Sequence, residues 1–416
     1  MLITQTENRH LQARGPRIGL ALAGGGPLGV VYEMGALLAL EESLEGIDFH
    51  HLHAYVGVSA GAVVACVLAN HITADQTVRI VVCNDFPEHA LDPAIFLTPA
   101  FREYSHRLAL VPKLIWHAIA RFVQNPLDIG FIESFVSLSR AIPTGIFDNE
   151  PIHEFLSRLF NTGGRTNDFR KLDNHLYIVA VDLDTGMAVK FGAEGYDHVP
   201  ISKAVQASAA LPGFYPPVAI DGRYYADGVL KKTLHASVAL EAGCDLVICI
   251  NPIVPFDANL AKQRGKHKHD TLVEGGAPVV LAQTFRSLIY SRMKVGMGKY
   301  DTQFENADII LFEPNRDDSD MFFANVFSFS NRRKVCEHAY QTTRNDLLER
   351  RHQLEPILAR HGVRLRMDLL EDKTRHFTTP VYEGYEPRKQ IKFNNAIANN
   401  LDSTLNELQD WVHMVR

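Results

Sequence analysis

The strongest constraint on how this chain can fold lies in its first 70 residues, where a strand, a tight turn and a helix follow one another twice. Residues 18–23 (IGLALA) are an unbroken apolar run that ends on Gly24, Gly25 and Gly26, and a helical pattern runs from Gly29 to Glu42. Residues 55–58 form a second short run that ends at Ser59, and residues 60–69 (AGAVVACVLA) suit a helix buried on every side. Strands that lack polar alternation, each feeding a helix through a tight turn, predict a mostly parallel sheet covered by helices on both faces. Residues 175–183, 188–191 and 244–250 extend that pattern, with helices expected at 201–209 and 234–241 between them. A helix at 278–295 leads to one more strand, in ADIILFEP. The fold class is therefore α/β, with three layers in the order α/β/α.

Residues 74–160 read as helical and are broken by Pro87, Pro93, Pro99, Pro112, Pro126 and Pro143, which predicts a helical insertion covering the sheet. Residues 331–358 are again helical and strongly charged, and a last helix is expected at 401–414. No internal repeat, low-complexity linker or glycine-serine hinge divides the chain. The expected division is a main unit over residues 17–320, which contains the insertion, and a mainly helical extension over 321–416 packed on it.

Gly57, Val58, Ser59, Ala60 and Gly61 have the G-x-S-x-G form, in which a serine occupies a sharp turn between a strand and a helix. Small residues on both sides let the turn pack closely, and the serine oxygen projects near the positive end of the helix. A purely structural turn is the alternative. Gly24, Gly26 and Gly29 also satisfy G-x-G-x-x-G after a strand, the dinucleotide fingerprint. Against that reading, Asp48 precedes the second strand instead of ending it, so it is out of place for a ribose. A serine nucleophile needs amide donors aimed at a developing oxyanion, and a glycine loop on the same carboxyl edge of a parallel sheet can supply them. The missing partner is a general base. None of the 19 histidines has a diagnostic context; His235, near the start of a helix, is the best spare base, and a packing role is its simpler explanation.

These motifs, in this order, resemble the patatin-like phospholipase family, its bacterial members especially, over about residues 17–252. The resemblance implies a three-layer patatin-like fold with a mostly parallel central sheet, a helical insertion and a carboxyl-terminal extension. It implies an oxyanion hole at Gly24, Gly25, Gly26 and Gly29, with Gly25 and Gly26 the foremost amide donors, and a nucleophile at Ser59 within GVSAGA. The family's Asp-Gly motif maps to Asp227 and Gly228 in RYYADG, ahead of the weaker candidate Asp221. Two positions depart from the family: Leu28 stands where a basic residue is common, and Val229 where a small one is usual. The implied chemistry is hydrolysis of phospholipid or lysophospholipid esters, with Asp227 taking the Ser59 proton directly and an acyl-enzyme forming, without metal or cofactor. A soluble carboxylesterase, or a lipid-binding regulator without turnover, are the alternatives.

Composition narrows the partners. A net charge of −6 offers no global footprint for nucleic acid, and five irregularly spaced cysteines suggest neither a disulfide framework nor a zinc cluster. The histidines of HHLH at 50–53 and of the loop at 267 and 269 make no convincing metal site. The amino terminus lacks the apolar core of a secretion signal, and no apolar run reaches the ~18 residues needed to span a bilayer, so the expected location is the cytoplasm with peripheral contact at the inner membrane. In RLALVPKLIWHAIARFV, Lys113, His117 and Arg121 share one helical stripe beside an apolar face, the pattern of an interfacial helix. A cap helix packed on the core, with a solvated basic edge, is the other reading. Lys262, Arg264, Lys266 and Lys268 form a second basic cluster, and FFANVFSFS at 322–330 is dense enough in aromatics to line an acyl pocket. Oligomeric state is not legible.

Overall fold

The computed structural model of the chain describes residues 2–4, 15–83, 85, 93–124, 141–265, 271–323 and 329–383. Eleven strands are defined among them: β1 Leu2–Thr4, β2 Ile18–Leu22, β3 Leu44–Glu45, β4 Ala54–Gly57, β5 His175–Asp182, β6 Ala188–Phe191, β7 Val218–Ile220, β8 Arg223–Asp227, β9 Leu246–Ile250, β10 Asp308–Phe312 and β11 Arg364–Leu365. Nine form one sheet, and β3 pairs with β11 apart from it. Across the sheet run β10, β9, β2, β4 and β5, all parallel, with β1 antiparallel on the outer edge. Every residue of β2, β4, β9 and β10 is buried, as strands covered on both faces require.

The alternation of side chains along β2 separates the two flanking layers. Leu20 and Leu22 enter a core built with helices Gly26–Ser43, Ala60–Ala69 and Ile201–Ser208, whereas Ala21 and Ala23 enter one built with helices Ala236–Glu241 and Gly276–Gln303. The last helix is longer than the pattern at 278–295 predicts. Helices Phe329–Glu349 and Arg351–Arg360 occupy the charged helical region, and the first lies hard against Gly26–Ser43: a Cβ added at Gly35 would stand 2.3 Å from the Cys336 carbonyl oxygen. Buried Glu42 receives hydrogen bonds from Tyr340 (2.7 Å) and Arg375 (2.9 Å), fixing that packing with a charge-assisted contact. The helix expected at 401–414 lies outside the described residues.

The hairpin β7–β8 escapes the apolar-run reading. Its turn is Asp221-Gly222, with φ of 51° and 77°, the Asp-Gly signature of a two-residue hairpin. The register shows why it matters. Gly57 at the end of β4 lies opposite Ile178 of β5, and Asp227 at the end of β8 lies opposite Ala180. Ile178 and Ala180 both pair with β6 on their other side, so β4 and β8 share one edge of β5. Since β4 runs parallel to β5 and β8 antiparallel, their carboxyl ends point at each other across the gap beside Val179.

Candidate active site

Ser59 follows β4 and caps helix Ala60–Ala69, with φ 53° and ψ −117°, a backbone conformation that side-chain-bearing residues rarely adopt. The neighbouring glycines are required by space. A Cβ on Gly57 would lie 2.4 Å from the Gly61 carbonyl oxygen, and one on Gly61 would lie 2.5 Å from Leu22. The Gly61 amide donates to the Ala23 carbonyl at 3.1 Å, which ties the serine turn to the end of β2. Ser59 does not use its hydroxyl as a helix cap. The side chain instead stands near enough to the Asp227 carboxyl to favour its ionised form.

Asp227 is 1% exposed. Burial pushes its carboxyl up to about 7, against smaller opposing contributions from the Val229 amide and the Ser59 hydroxyl. The Val229 N–H donates to Oδ1 at 2.9 Å, closing the short turn that follows Gly228. Gly228 has no room for a side chain, because a Cβ there would meet the Val179 carbonyl oxygen at 2.3 Å. A carboxyl so placed is about half ionised near neutrality.

The glycine loop stands alongside. A Cβ on Gly24 would be 3.3 Å from Ser59 Cβ and from Val229 Cγ2, and one on Gly25 would be 2.6 Å from Pro252 Cγ. The Gly24 and Gly29 amides donate to the Thr233 and Gly25 carbonyls, at 3.4 and 3.0 Å. Gly25 and Gly26 stand at the helix start, where the first N–H groups have no intrahelical acceptor, and Gly26 takes φ 62°. The Ala60 amide, first in the other helix, is in the same position and is absent from the sequence-based donor set. Leu28 is buried, so no cation occupies that place.

The other candidates lie elsewhere. His235 is buried, and desolvation pushes its ring down to about 4. Asp221 sits exposed in the hairpin turn with His198, at 2.8 Å. Asp48 bonds to the His50 amide and the His51 ring, away from the glycines. Arg264 pairs with Asp317 at 3.1 Å, while Lys266 and Lys268 fall outside the described residues. Phe322 and Phe323 pack with Phe256, and residues 324–328 of that run lie outside the described residues. Among the described residues no group of His, Cys, Asp and Glu is placed to hold a metal ion.

Lys113 and His117 lie exposed on helix Phe101–Gln124; the Arg121 side chain is outside the described set. None of the helix's described side chains is fully buried. Phe101 is 70% and Trp116 71% exposed. Phe214, 47% exposed, belongs to the segment that joins this insertion: its carbonyl accepts from the Phe147 amide at 2.7 Å. No described helix is long and apolar enough to cross a membrane.

Two crystal structures show distant similarity. VipD from Legionella pneumophila is 15% identical with a TM-score of 0.37, over 83% of this chain and 69% of that one. ExoU in complex with SpcU, from Pseudomonas aeruginosa, is 16% identical with a TM-score of 0.24, over 71% of this chain and 54% of that one. The chain therefore spans about half the length of ExoU. Residues 20–240, more than half of the chain, match the family described as patatin-like phospholipase. With a serine turn, a glycine loop and a mostly parallel sheet between helical layers, the chain belongs to the patatin-like phospholipase family, serine hydrolases that act on the ester bonds of lipids through a serine–aspartate mechanism.

Proposed function

We propose that Ser59 is the nucleophile and Asp227 its base, in a hydrolase of phospholipid or lysophospholipid esters. The observation that carries this is the approach of the strained Ser59 turn to the fully buried carboxyl of Asp227, beside helix-start amides. Asp227 takes the hydroxyl proton as Oγ bonds to the acyl carbon, and the oxyanion is met by the Gly25 and Gly26 amides with that of Ala60. The carbon–oxygen bond of the ester then breaks, and Asp227 returns the proton to the departing alcohol or lysolipid. Water, deprotonated by the same carboxylate, attacks acyl-Ser59; the fatty acid leaves and Oγ regains its proton. No step needs a histidine, which agrees with the burial and depressed basicity of His235.

We read residues 17–320 as the catalytic unit and 321–416 as an extension that braces it, supported by the seat of Cys336 against Gly35. Exposed Trp116 beside Lys113 supports peripheral docking on a bilayer through helix Phe101–Gln124. Five buried free thiols suit a reducing compartment such as the cytoplasm. The test is turnover of defined phospholipid vesicles by wild type and Ser59→Ala. Loss of at least ~10³-fold, with an unchanged melting curve, is expected. Undiminished release of fatty acid would refute the nucleophile, and exclusive use of small monomeric esters would refute the lipid assignment.

A further inference from the structure

We propose that Ser208 is a positioning residue that fixes the backbone of the nucleophile turn, and that residues 208–210 tie Ser59 and Asp227 into one rigid unit. This rests on the assignment of those two residues as nucleophile and base. Ser208 ends helix Ile201–Ser208 and is fully buried. Its Oγ accepts a hydrogen bond from the Ser59 amide at 2.9 Å and donates one to the Val179 carbonyl at 2.6 Å. Two residues later, the Ala210 carbonyl accepts from the Asp227 amide at 2.9 Å. A single three-residue segment thus grips the main chain of both reacting residues.

The need for a hydroxyl follows from the sheet. β4 stops opposite Ile178 and β8 stops opposite Ala180, so on that edge of β5 no strand lies beside Val179. The Val179 carbonyl points into the gap, since a Cβ on Gly228 would collide with its oxygen. Ser59, having turned to φ 53°, presents its amide to the same gap. One buried acceptor and one buried donor remain there, and a group that both gives and takes a hydrogen bond satisfies the two at once. A serine hydroxyl does so without adding bulk. An alanine would leave both backbone groups buried and unpaired, and the relief open to the molecule is rotation of the Ser59 peptide, which swings Oγ away from Asp227.

The segment is also anchored outward. Gln206 bonds to Asn149 at 3.0 Å and to Glu150 at 2.8 Å, and the Gly213 amide donates to the Thr144 carbonyl at 3.3 Å. Both contacts are with the end of the helical insertion, so the clamp is braced by the part of the chain that carries exposed Phe101 and Trp116.

The experiment compares the full-length protein with Ser208→Ala, Ser208→Cys and Ser202→Ala, using a fluorophosphonate probe to measure the limiting rate of Ser59 modification separately from the probe's binding constant. Ser202 is an internal control: it lies on the same helix, is fully buried and bonds to Asn167 at 2.9 Å, but touches neither reacting residue. Ser208→Ala is expected to lower the limiting rate by about 10- to 100-fold with an unchanged binding constant. Ser208→Cys, close in size but a weaker donor and acceptor, is expected to fall between, and Ser202→Ala to lose thermal stability at the wild-type rate. A limiting rate for Ser208→Ala within about twofold of wild type would overturn the proposal, as would an equal loss of rate in Ser202→Ala. Failure of both Ser208 variants to fold would overturn it too, since a positioning role leaves the native state intact. Labelling is repeated on Ser59→Ala: modification that persists there would defeat the nucleophile assignment itself, a different result from any of these.

Discussion

Replacing Asp227 by asparagine should remove activity and, at alkaline pH, make the protein more stable. The carboxyl rises from its ordinary 3.8 to about 7 on burial, so the fold holds its proton more tightly than the unfolded chain does. Below about 3.8 both states are protonated and burial of this group carries no ionisation penalty. As pH climbs through about 7 the penalty becomes complete. At ~1.4 kcal/mol per tenfold change in proton affinity, it amounts to about 4 kcal/mol. Asparagine never ionises, keeps Oδ1 for the Val229 amide and cannot accept the Ser59 proton. Thermal melts of wild type and Asp227→Asn at pH 5.0 and pH 8.5 would measure the difference. At roughly 1 to 2 °C per kcal/mol for a chain of this size, the variant should gain about 4 to 8 °C at pH 8.5 and less than about half of that at pH 5.0. A stability difference independent of pH would show that Asp227 titrates normally in the fold, and retained turnover would show that it is not the base.

The same carboxyl sets the rate profile: kcat/KM should rise as pH passes upward through about 7, and His235→Gln should leave that limb in place, because the ring is already neutral. A limb displaced by about one pH unit in that variant would make the histidine a participant. Gly57→Ala forces a Cβ to within 2.4 Å of the Gly61 carbonyl and should cost about 1 to 3 kcal/mol in urea unfolding; an unchanged midpoint would mean that the turn has slack. The double variant Lys113→Glu, Trp116→Ala should bind anionic vesicles about tenfold or more weakly in sedimentation assays, and equal binding would remove helix Phe101–Gln124 from the membrane.

How much of this was legible in the sequence depended on whether the signal was local. The serine turn and the glycine loop write themselves into contiguous residues, because close approach of main chain to main chain demands glycine at fixed spacing. Gly57, Gly61 and Gly25 each lack room for a Cβ. The parallel strands were equally plain, being dominated by apolar runs. The β7–β8 hairpin was marked by Asp221-Gly222, yet its strands are short and half exposed, so a search for apolar runs passes over them. Ser208 carries no local mark. It looks like any small residue ending a helix, and its role depends on Ser59, 149 residues earlier, and on the gap left by two strands that stop short. The exposed apolar face of Phe101–Gln124 was visible as periodicity, but whether that face met the core was not.

The position of β2 has a consequence for how the protein comes into being. β2 is flanked by β4, which is made soon after it, and by β9, which is not: the Arg17 amide meets the Asp245 carboxylate across 228 residues of sequence. Pro252, which packs under Gly25, emerges later still. During synthesis at ~5 to 20 residues per second, a wholly apolar strand therefore waits roughly 10 to 50 s for its second neighbour. Through that interval the glycine loop has no floor. The serine turn can form early from nearby segments, but the parts it must face arrive only when most of the chain has left the ribosome, so nascent chains of this protein should need shielding before they can become hydrolases.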